Sequence, residues 1–556
     1  MTVNTITGRS AFLSLLEDEG VGHLFGNPGT TELPIMDALP DHPSLRYIMA
    51  LQESVVVAMA DGYARASGQL AACNVHVAPG LGNAMGSLYN ANWFGSPLLL
   101  TAGQQEQGHG LMEPLLSGPL VEMAAPLTKW AIEVTRLDDL PRIVRRAAKI
   151  ATTPPTGPVF LSLPGDILNQ EGAIDLGVRT RIETANRPDD HTLARLADRL
   201  IRAKHPVIVA GHEIATSDAF EEAGAFASAL GAPVYQQTAP WGAHFPSEHP
   251  NFMGALTRVQ AQVRETLAPY DLLICLGCDV LRMSVFSPVD ALPDDMPIVQ
   301  IGQNDWEMGK NYSAEIAVRA DVKQTLSVLA QTLQSRGGAA LTEIAKQRLE
   351  IIAPTNWSAN RARIREQLHE RQSANPIDPT ELTRALVDGL PGDAIVVEEA
   401  IVTGRPLLDQ LAFKRPTDYF GLASGGIGFA IAGALGVQLA HPQRPVVALI
   451  GDGSAMYSIQ ALWTAANQKL PITFIVANNR SYRILKERLL AFHGNDSFIG
   501  MDLTEPEIDF VGLAESMGVS GTRVETVDAF DAAFAAALDA THPCLLDVRV
   551  SDGFSE

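Results

Sequence analysis

Cysteine is scarce: four occur in 556 residues, too few for a disulfide framework to hold a chain of this length. Basic residues are the minority charge, 41 Lys and Arg against 63 Asp and Glu for a formal charge of −22, and they are scattered rather than gathered into a run. Nucleic acid and anionic membrane are poor partners on that balance. Long apolar runs are missing too; the longest, from Gly428 to Ala440, is broken by glycines and too short to cross a bilayer. The opening MTVNTITGRS lacks the basic-then-apolar pattern of a secretory leader, so a cytoplasmic location is expected. Cys275 and Cys278 form one CxxC at the end of the apolar run DLLICLGC, with neither a helix start nor a second ligand pair in the pattern. These two, with Cys73 and Cys544 in or beside other apolar runs, are expected to be packing residues.

What is present is an ordinary globular composition, 46% hydrophobic and 19% charged, long enough for three or four domains at about 150 residues each. Short β-branched runs alternate with stretches of helical period: HLFGNPG before TTELPIMDAL, QLAACNVHV before GNAMGSLYNANWF, then SPLLLTAG and GPVFLSLP. That alternation predicts βαβ units and parallel sheets. A polar stretch from about Leu176 to Asp190 closes the first block; HPVIVAGH, APVYQQT, YDLLICLG and MPIVQIG make a second. Beyond SRGGAAL, at Gly337 and Gly338, and a turn at Pro376 and Pro379, a third block carries DAIVVEEA, DYFGLASGG, RPVVALIGDG, PITFIVANN and HPCLLDVRV. The expected architecture is α/β, three doubly wound parallel-sheet domains over residues 1–178, 190–335 and 356–556.

The strongest local signal is VVALIGDGSAMYSIQALWTAANQKLPITFIVANNRSY. One buried strand runs into Gly451, Asp452 and Gly453, and the next delivers Asn478 and Asn479. In a parallel sheet the C-terminal strand ends share one edge, so Asp452 and Asn479 can converge there. A carboxylate, an amide oxygen and a backbone carbonyl, that of Ser481, suit a hard cation of the magnesium type, and the glycines let a diphosphate approach the amides at a helix start. Glu53, flanked by apolar residues in LQESVVVAMADGYA, is expected at a buried helix start, where an ionised carboxylate needs a partner. Gly80, Gly82 and Gly86 after a strand resemble a dinucleotide fingerprint, but the spacing is GxGxxxG and no acidic residue falls between Asn83 and Gln105 to hold a ribose. A nicotinamide dehydrogenase is thereby disfavoured.

GDG followed by NN resembles the metal-diphosphate motif of the thiamine diphosphate-dependent decarboxylases and carboligases. The resemblance runs through FGNPGTTELP, MALQESVVVAMADGYARASG, NVHVAPGLGNAMGSLYNA, TAGQQ, GPVFLSLP, LASGGIGFAIAGALGVQLA and GDGSAMYSIQALWTAA, and is strongest to the benzoylformate decarboxylases. It implies thiamine diphosphate and Mg2+ as cofactors, decarboxylation of a 2-oxo acid to an aldehyde or, alternatively, carboligation of the acetolactate synthase type through the same intermediate. It also implies a homotetramer with active sites between chains. In that frame Glu53 activates the cofactor; Asp452, Asn479 and Ser481 hold the metal. Asn27, Pro28, Gly29, Asn83, Thr403, Gly425, Gly426, Ile427, Gly451, Gly453, Ser454 and Tyr482 line the cofactor, with Ile427 the apolar residue on which it bends. Thr30 and His76 face the substrate, and His109, Leu115, Leu116, Ile484, Leu485 and Arg488 are pocket candidates, His109 being equally at home in a solvated loop.

Three positions depart from the benzoylformate decarboxylase pattern. Thr30 stands where those enzymes carry serine, which keeps a hydroxyl; Ser284 stands where they carry a second histidine, which removes a proton carrier; and Arg488 replaces an aromatic. Arg488 turned inward suits an acidic or polar substrate tail, and turned outward it is a helix surface charge.

Overall fold

The first unit is built on strands β1 (Thr5–Thr7), β2 (His23–Gly26), β3 (Arg46–Met49), β4 (Ala71–Val75), β5 (Leu98–Gln104), β6 (Trp130–Glu133), β7 (Val159–Pro164) and β8 (Glu171–Ala173) in a computed structural model that describes residues 5–238, 240–369 and 374–554. Six of them form a wholly parallel sheet in the order β3-β2-β4-β5-β7-β6, while β1 and β8 pair antiparallel beside it. A second parallel sheet, β11-β10-β9-β12-β13-β14, comprises β9 (Pro206–Ala210), β10 (Val234–Gln236), β11 (Phe252–Ala255), β12 (Leu272–Leu276), β13 (Ile298–Gly302) and β14 (Ile316–Arg319). The third, β16-β15-β17-β18-β20-β19, comprises β15 (Ile395–Glu399), β16 (Tyr419–Phe420), β17 (Val446–Gly451), β18 (Ile472–Asn478), β19 (Ser520–Val524) and β20 (Cys544–Arg549). The predicted three parallel-sheet α/β units are therefore present. The outer ends of the first and last expected domains, residues 1–4 and 555–556, and residues 370–373 of the last, lie outside the described residues.

The interior strands read as continuous apolar runs because helices cover both faces of each sheet. β4, β5, β9, β12 and β18 are buried at every position. The helix Glu53–Ser67 is apolar on nearly all sides, as a helix enclosed by protein must be. It packs on the helix Ala430–Ala440 of the third unit, so closely that a methyl on Gly436 would meet the Met59 carbonyl at 2.0 Å. Their shared core joins the first and third units. Among the described residues no helix is long and apolar enough to cross a membrane.

Gly80, Gly82 and Gly86 all lie in the helix Val77–Phe94, which begins directly after His76 and extends the helical reading of GNAMGSLYNANWF. One helix, Val322–Ile352, contains SRGGAAL, with a single non-helical residue at Gly338. Its second half returns to the central unit, where Arg348 donates to the carbonyls of Leu230 and Ala203. All four cysteines are free and buried, as expected of packing residues.

Candidate active site

Two clusters occupy the C-terminal edges of the first and third sheets. In the first sheet Gly26 pairs with Asn74 and Val75 with Ala102, which sets Asn27, His76 and Gly103 side by side just past the strand ends. Glu53 is the first residue of its helix, 7% exposed, and the Gln52 side chain caps the turn by accepting from the Ser54 amide. Its two carboxylate oxygens accept from Asn27 Nδ2 at 3.1 Å and Asn83 Nδ2 at 3.0 Å. No ion pair joins it to a cation among the described residues, so the carboxylate is held by the side-chain amides of Asn27 and Asn83.

His76 follows β4 and is oriented by a residue the motif reading missed. Glu32, fully buried, accepts from His76 Nδ1 at 2.7 Å, from the Gly29 amide at 2.9 Å, from Thr31 Oγ1 at 2.8 Å and from the Gly103 amide at 2.8 Å. A carboxylate accepts only, so Nδ1 carries the proton in this pair and Nε2 is left for the open side of a ring 20% exposed. Thr30 is exposed and among the described residues its side chain makes no hydrogen bond, whereas the hydroxyl of Thr31 is committed to Glu32. Pro28 and Gly29 complete the turn, both half-buried, with Gly29 against the imidazole.

In the third sheet Gly451 pairs with Ala477, which brings Asp452 beside Asn479 as the two-strand reading predicts. Asp452 starts a short helix, 4% exposed, with Gly453 and Ser454 behind it. Its carboxylate accepts from the Gly453 amide at 2.8 Å and the Ser481 amide at 3.3 Å; that same Ser481 amide donates to Asn479 Oδ1 at 3.0 Å. Burial pushes the Asp452 carboxyl up to about 6, and the buried Ser481 hydroxyl has no partner. A desolvated carboxylate, an amide oxygen and an unpartnered hydroxyl beside a free strand end make an oxygen-only donor set that fits a hard divalent cation. Among the described residues no three His, Cys, Asp or Glu converge. Tyr482 lies against Gly453, where any Cβ would meet its ring at 2.5 Å.

Behind this edge Glu399, 1% exposed, accepts from the amides of Gly428 and Ala430, and burial lifts its carboxyl to about 7. It fixes the loop of Gly425, Gly426 and half-buried Ile427, while Asn90 Nδ2 donates to the Gly426 carbonyl at 2.7 Å. Gly428 has φ +110°, and a Cβ there would meet that of Tyr457 at 2.9 Å. Thr403 is buried in the turn after β15. Like Glu32, Glu399 was not singled out in the sequence; its only signal was a carboxylate inside a strand.

The pocket candidates are dispersed in one chain. His109 lies in the exposed turn Gln107–Met112; Leu115 and Leu116 follow it and are exposed, their segment tied to β5 by Gln105 Nε2 donating to the Leu115 carbonyl at 2.9 Å. Ile484, Leu485 and Arg488 ride the helix Arg483–His493, Leu485 exposed and the Arg488 guanidinium 5.5 Å from the Phe492 ring. Ser284 is exposed in the loop after β12. Among the described residues no hydrogen bond or ion pair links the Glu53–His76 cluster to the Asp452–Asn479 cluster, or Ser284 to either.

A buried helix-start carboxylate at one sheet edge and an aspartate–asparagine pair at another match a family that comes in three parts. Residues 6–115 match the thiamine pyrophosphate enzyme N-terminal TPP-binding domain, 193–329 the central domain and 406–548 the C-terminal TPP-binding domain. The chain belongs to the thiamine pyrophosphate enzymes, in the family of decarboxylases and carboligases. It is 34% identical to a benzoylformate decarboxylase of Pseudomonas aeruginosa, covering 98% of each chain, and 29% identical to a putative acetolactate synthase large subunit of Mycobacterium tuberculosis, covering 98% and 99%. Among solved structures it superposes with TM-score 0.86 on the thiamine diphosphate-dependent 4-hydroxybenzoylformate decarboxylase of Rhodococcus jostii, 32% identical, covering 98% of this chain and 99% of that one.

Proposed function

We propose that this chain is a thiamine diphosphate- and Mg2+-dependent decarboxylase converting a 2-oxo acid to an aldehyde. The observation that carries the reading is Glu53: a buried carboxylate at a helix start, held only by the amides of Asn27 and Asn83, is what a proton relay to an aminopyrimidine requires. When bound, the cofactor supplies a nucleophilic carbon and an electron sink. Glu53 holds the proton exchanged with the ring. Asp452, Asn479 and Ser481 hold the metal; Gly451, Gly453 and Ser454 offer amides to the diphosphate, and Ile427 with Gly425, Gly426, Thr403 and Tyr482 supports the ring system. Thr30 binds the substrate carboxylate, and His76, held at Nδ1 by Glu32, offers Nε2 to the substrate for proton exchange. Ser284 cannot share that task, because a hydroxyl does not titrate near neutrality.

The chain is read as three domains, 1–178, 190–335 and 356–556, with the site closed between two copies in a homotetramer. Support comes from the placement of the two clusters on different sheets, with no hydrogen bond or ion pair between them among the described residues, and from large apolar side chains left in solvent: Leu111 is 96% exposed, Phe286 91%, Leu115 88% and Ile499 88%. A second reading, carboligation, is favoured by the acetolactate synthase relatives that match along nearly the whole chain. Carbon dioxide release from a panel of aromatic, aliphatic and acidic 2-oxo acids tests the proposal. Release needs both thiamine diphosphate and Mg2+ and falls at least about 100-fold in Glu53→Gln; silence across the panel with cofactor bound overturns it, and an acyloin product in place of aldehyde selects the carboligase.

A further inference from the structure

Two arginines, Arg405 and Arg488, stand on neighbouring elements beside the C-terminal edge of the third sheet, and a third, Arg258, lies within electrostatic range of both. Arg405 opens the turn Arg405–Leu407 after β15, Arg488 sits on the helix Arg483–His493, and Arg258 lies in the loop between β11 and the helix Gln260–Leu267. Arg405 is fastened to that helix by an ion pair with Glu487 at 2.8 Å, one residue from Arg488. The Arg258 loop is fastened to the Ser284 loop by the Gln260 side chain, which donates to the Val285 carbonyl. Arg258 is solvent-accessible, yet the protein crowding its guanidinium lowers its pKa; Glu398 and Tyr419 act against that shift, while Arg405 and Arg488 add to it.

The nearby negative charge is already committed. Glu487 is shared by Arg405 and Arg483, and Glu398 is tied to the Tyr419 hydroxyl at 3.0 Å and to the Ala400 amide. Among the described residues neither Arg258 nor Arg488 has an acidic partner within ion-pair distance, although the chain carries 22 more acidic than basic residues. Like charges set together without a partner cost free energy that a bound anion returns. Arg488 follows Ile484 by four residues, so the two share a helix face, the guanidinium about one turn, roughly 5 Å, beyond the apolar side chain.

We infer that Arg258 and Arg488, supported by Arg405, form an anion-reading site one helical turn beyond Ile484, and that the substrate is a 2-oxo acid whose apolar stem ends in a second carboxylate. This rests on the decarboxylase reading above and adds the substrate class to it. The fork of a guanidinium accepts a carboxylate in two parallel hydrogen bonds, so the site selects by charge and by stem length together.

The test measures kcat/KM of the cofactor-loaded enzyme for 2-oxoadipate and 4-carboxybenzoylformate, each against the isostere in which the distal carboxylate is an isopropyl group. At least one dianion is preferred by tenfold or more at low salt, and R488Q and R258Q, on different elements, each reduce that preference at least tenfold, mainly through KM. R488K, which keeps the charge without the fork, retains part of it. Turnover in which the isosteres are preferred, or in which the preference survives both substitutions, overturns the inference and leaves the decarboxylase. No turnover of any acid by enzyme with bound cofactor overturns both.

Discussion

Glu32 is the residue on which the first cluster turns. One buried carboxylate gathers an imidazole, a hydroxyl and two backbone amides, from the turn after β2 and from the ends of β4 and β5. It acts through His76 and is therefore a positioning residue. Glu32→Gln keeps the shape but replaces one acceptor oxygen by a donor facing groups that also donate, so at least one buried hydrogen bond is lost, at a cost of about 1–3 kcal/mol. The expected outcome is a kcat lowered about tenfold or more with KM less affected. An unchanged kcat in a folded variant would restrict Glu32 to a structural role. The sequence could not reveal this residue: Glu53 sits among apolar neighbours that make its charge conspicuous, whereas Glu32 in TTELP looks like the start of any helix. Its significance depends on Gly103, 71 residues away, arriving at the same strand edge.

At the scale of elements, legibility followed position in the sheet. The runs picked out by apolar, β-branched content are chiefly interior strands, covered on both faces, and they pair where the alternation of strand and helix places them. β3, β6, β11, β14 and β19 lay outside those runs, and every one is a sheet edge. An edge strand is half covered; RYIM, WAIE and SGTRV mix polar and apolar residues and are held by one neighbour's hydrogen bonds, so they carry little periodic signal. The glycines after His76 resemble a phosphate loop in spelling but lie in a helix, as their GxGxxxG spacing and the missing acidic residue argue. Gly428 is the opposite case, a glycine whose backbone demands it. With φ +110° and Tyr457 against the Cβ position, Gly428→Ala must move the loop that Glu399 anchors. Strain of about 1–3 kcal/mol is expected there, read as thiamine diphosphate affinity weakened about tenfold or more in a fluorescence titration while the circular dichroism spectrum stays that of the wild type.

At the scale of the whole molecule, the two halves of the chemistry stand on different sheets of one chain, and among the described residues no hydrogen bond or ion pair joins the Glu53 cluster to the Asp452 cluster, although the helices Glu53–Ser67 and Ala430–Ala440 pack on each other. On the proposed reading, the other half of each site comes from a second copy. A two-fold interface makes each copy give what it receives. This has a consequence that no single variant displays. Glu53→Gln and Asp452→Asn each disable every site in their own homodimers. In a mixed dimer, one site collects both substitutions and the other collects neither. If the two proteins are unfolded, mixed in equal amounts and reassembled at random, half the dimers are mixed, half of their sites are intact, and activity returns to roughly a quarter of wild type. The measurement is carbon dioxide release before and after co-refolding, with each variant refolded alone as control. A mixture as silent as its parts would mean that Glu53 and Asp452 of a single chain serve the same site, and that the exposed apolar residues Leu111, Leu115, Phe286 and Ile499 cover something other than a partner's half of the chemistry.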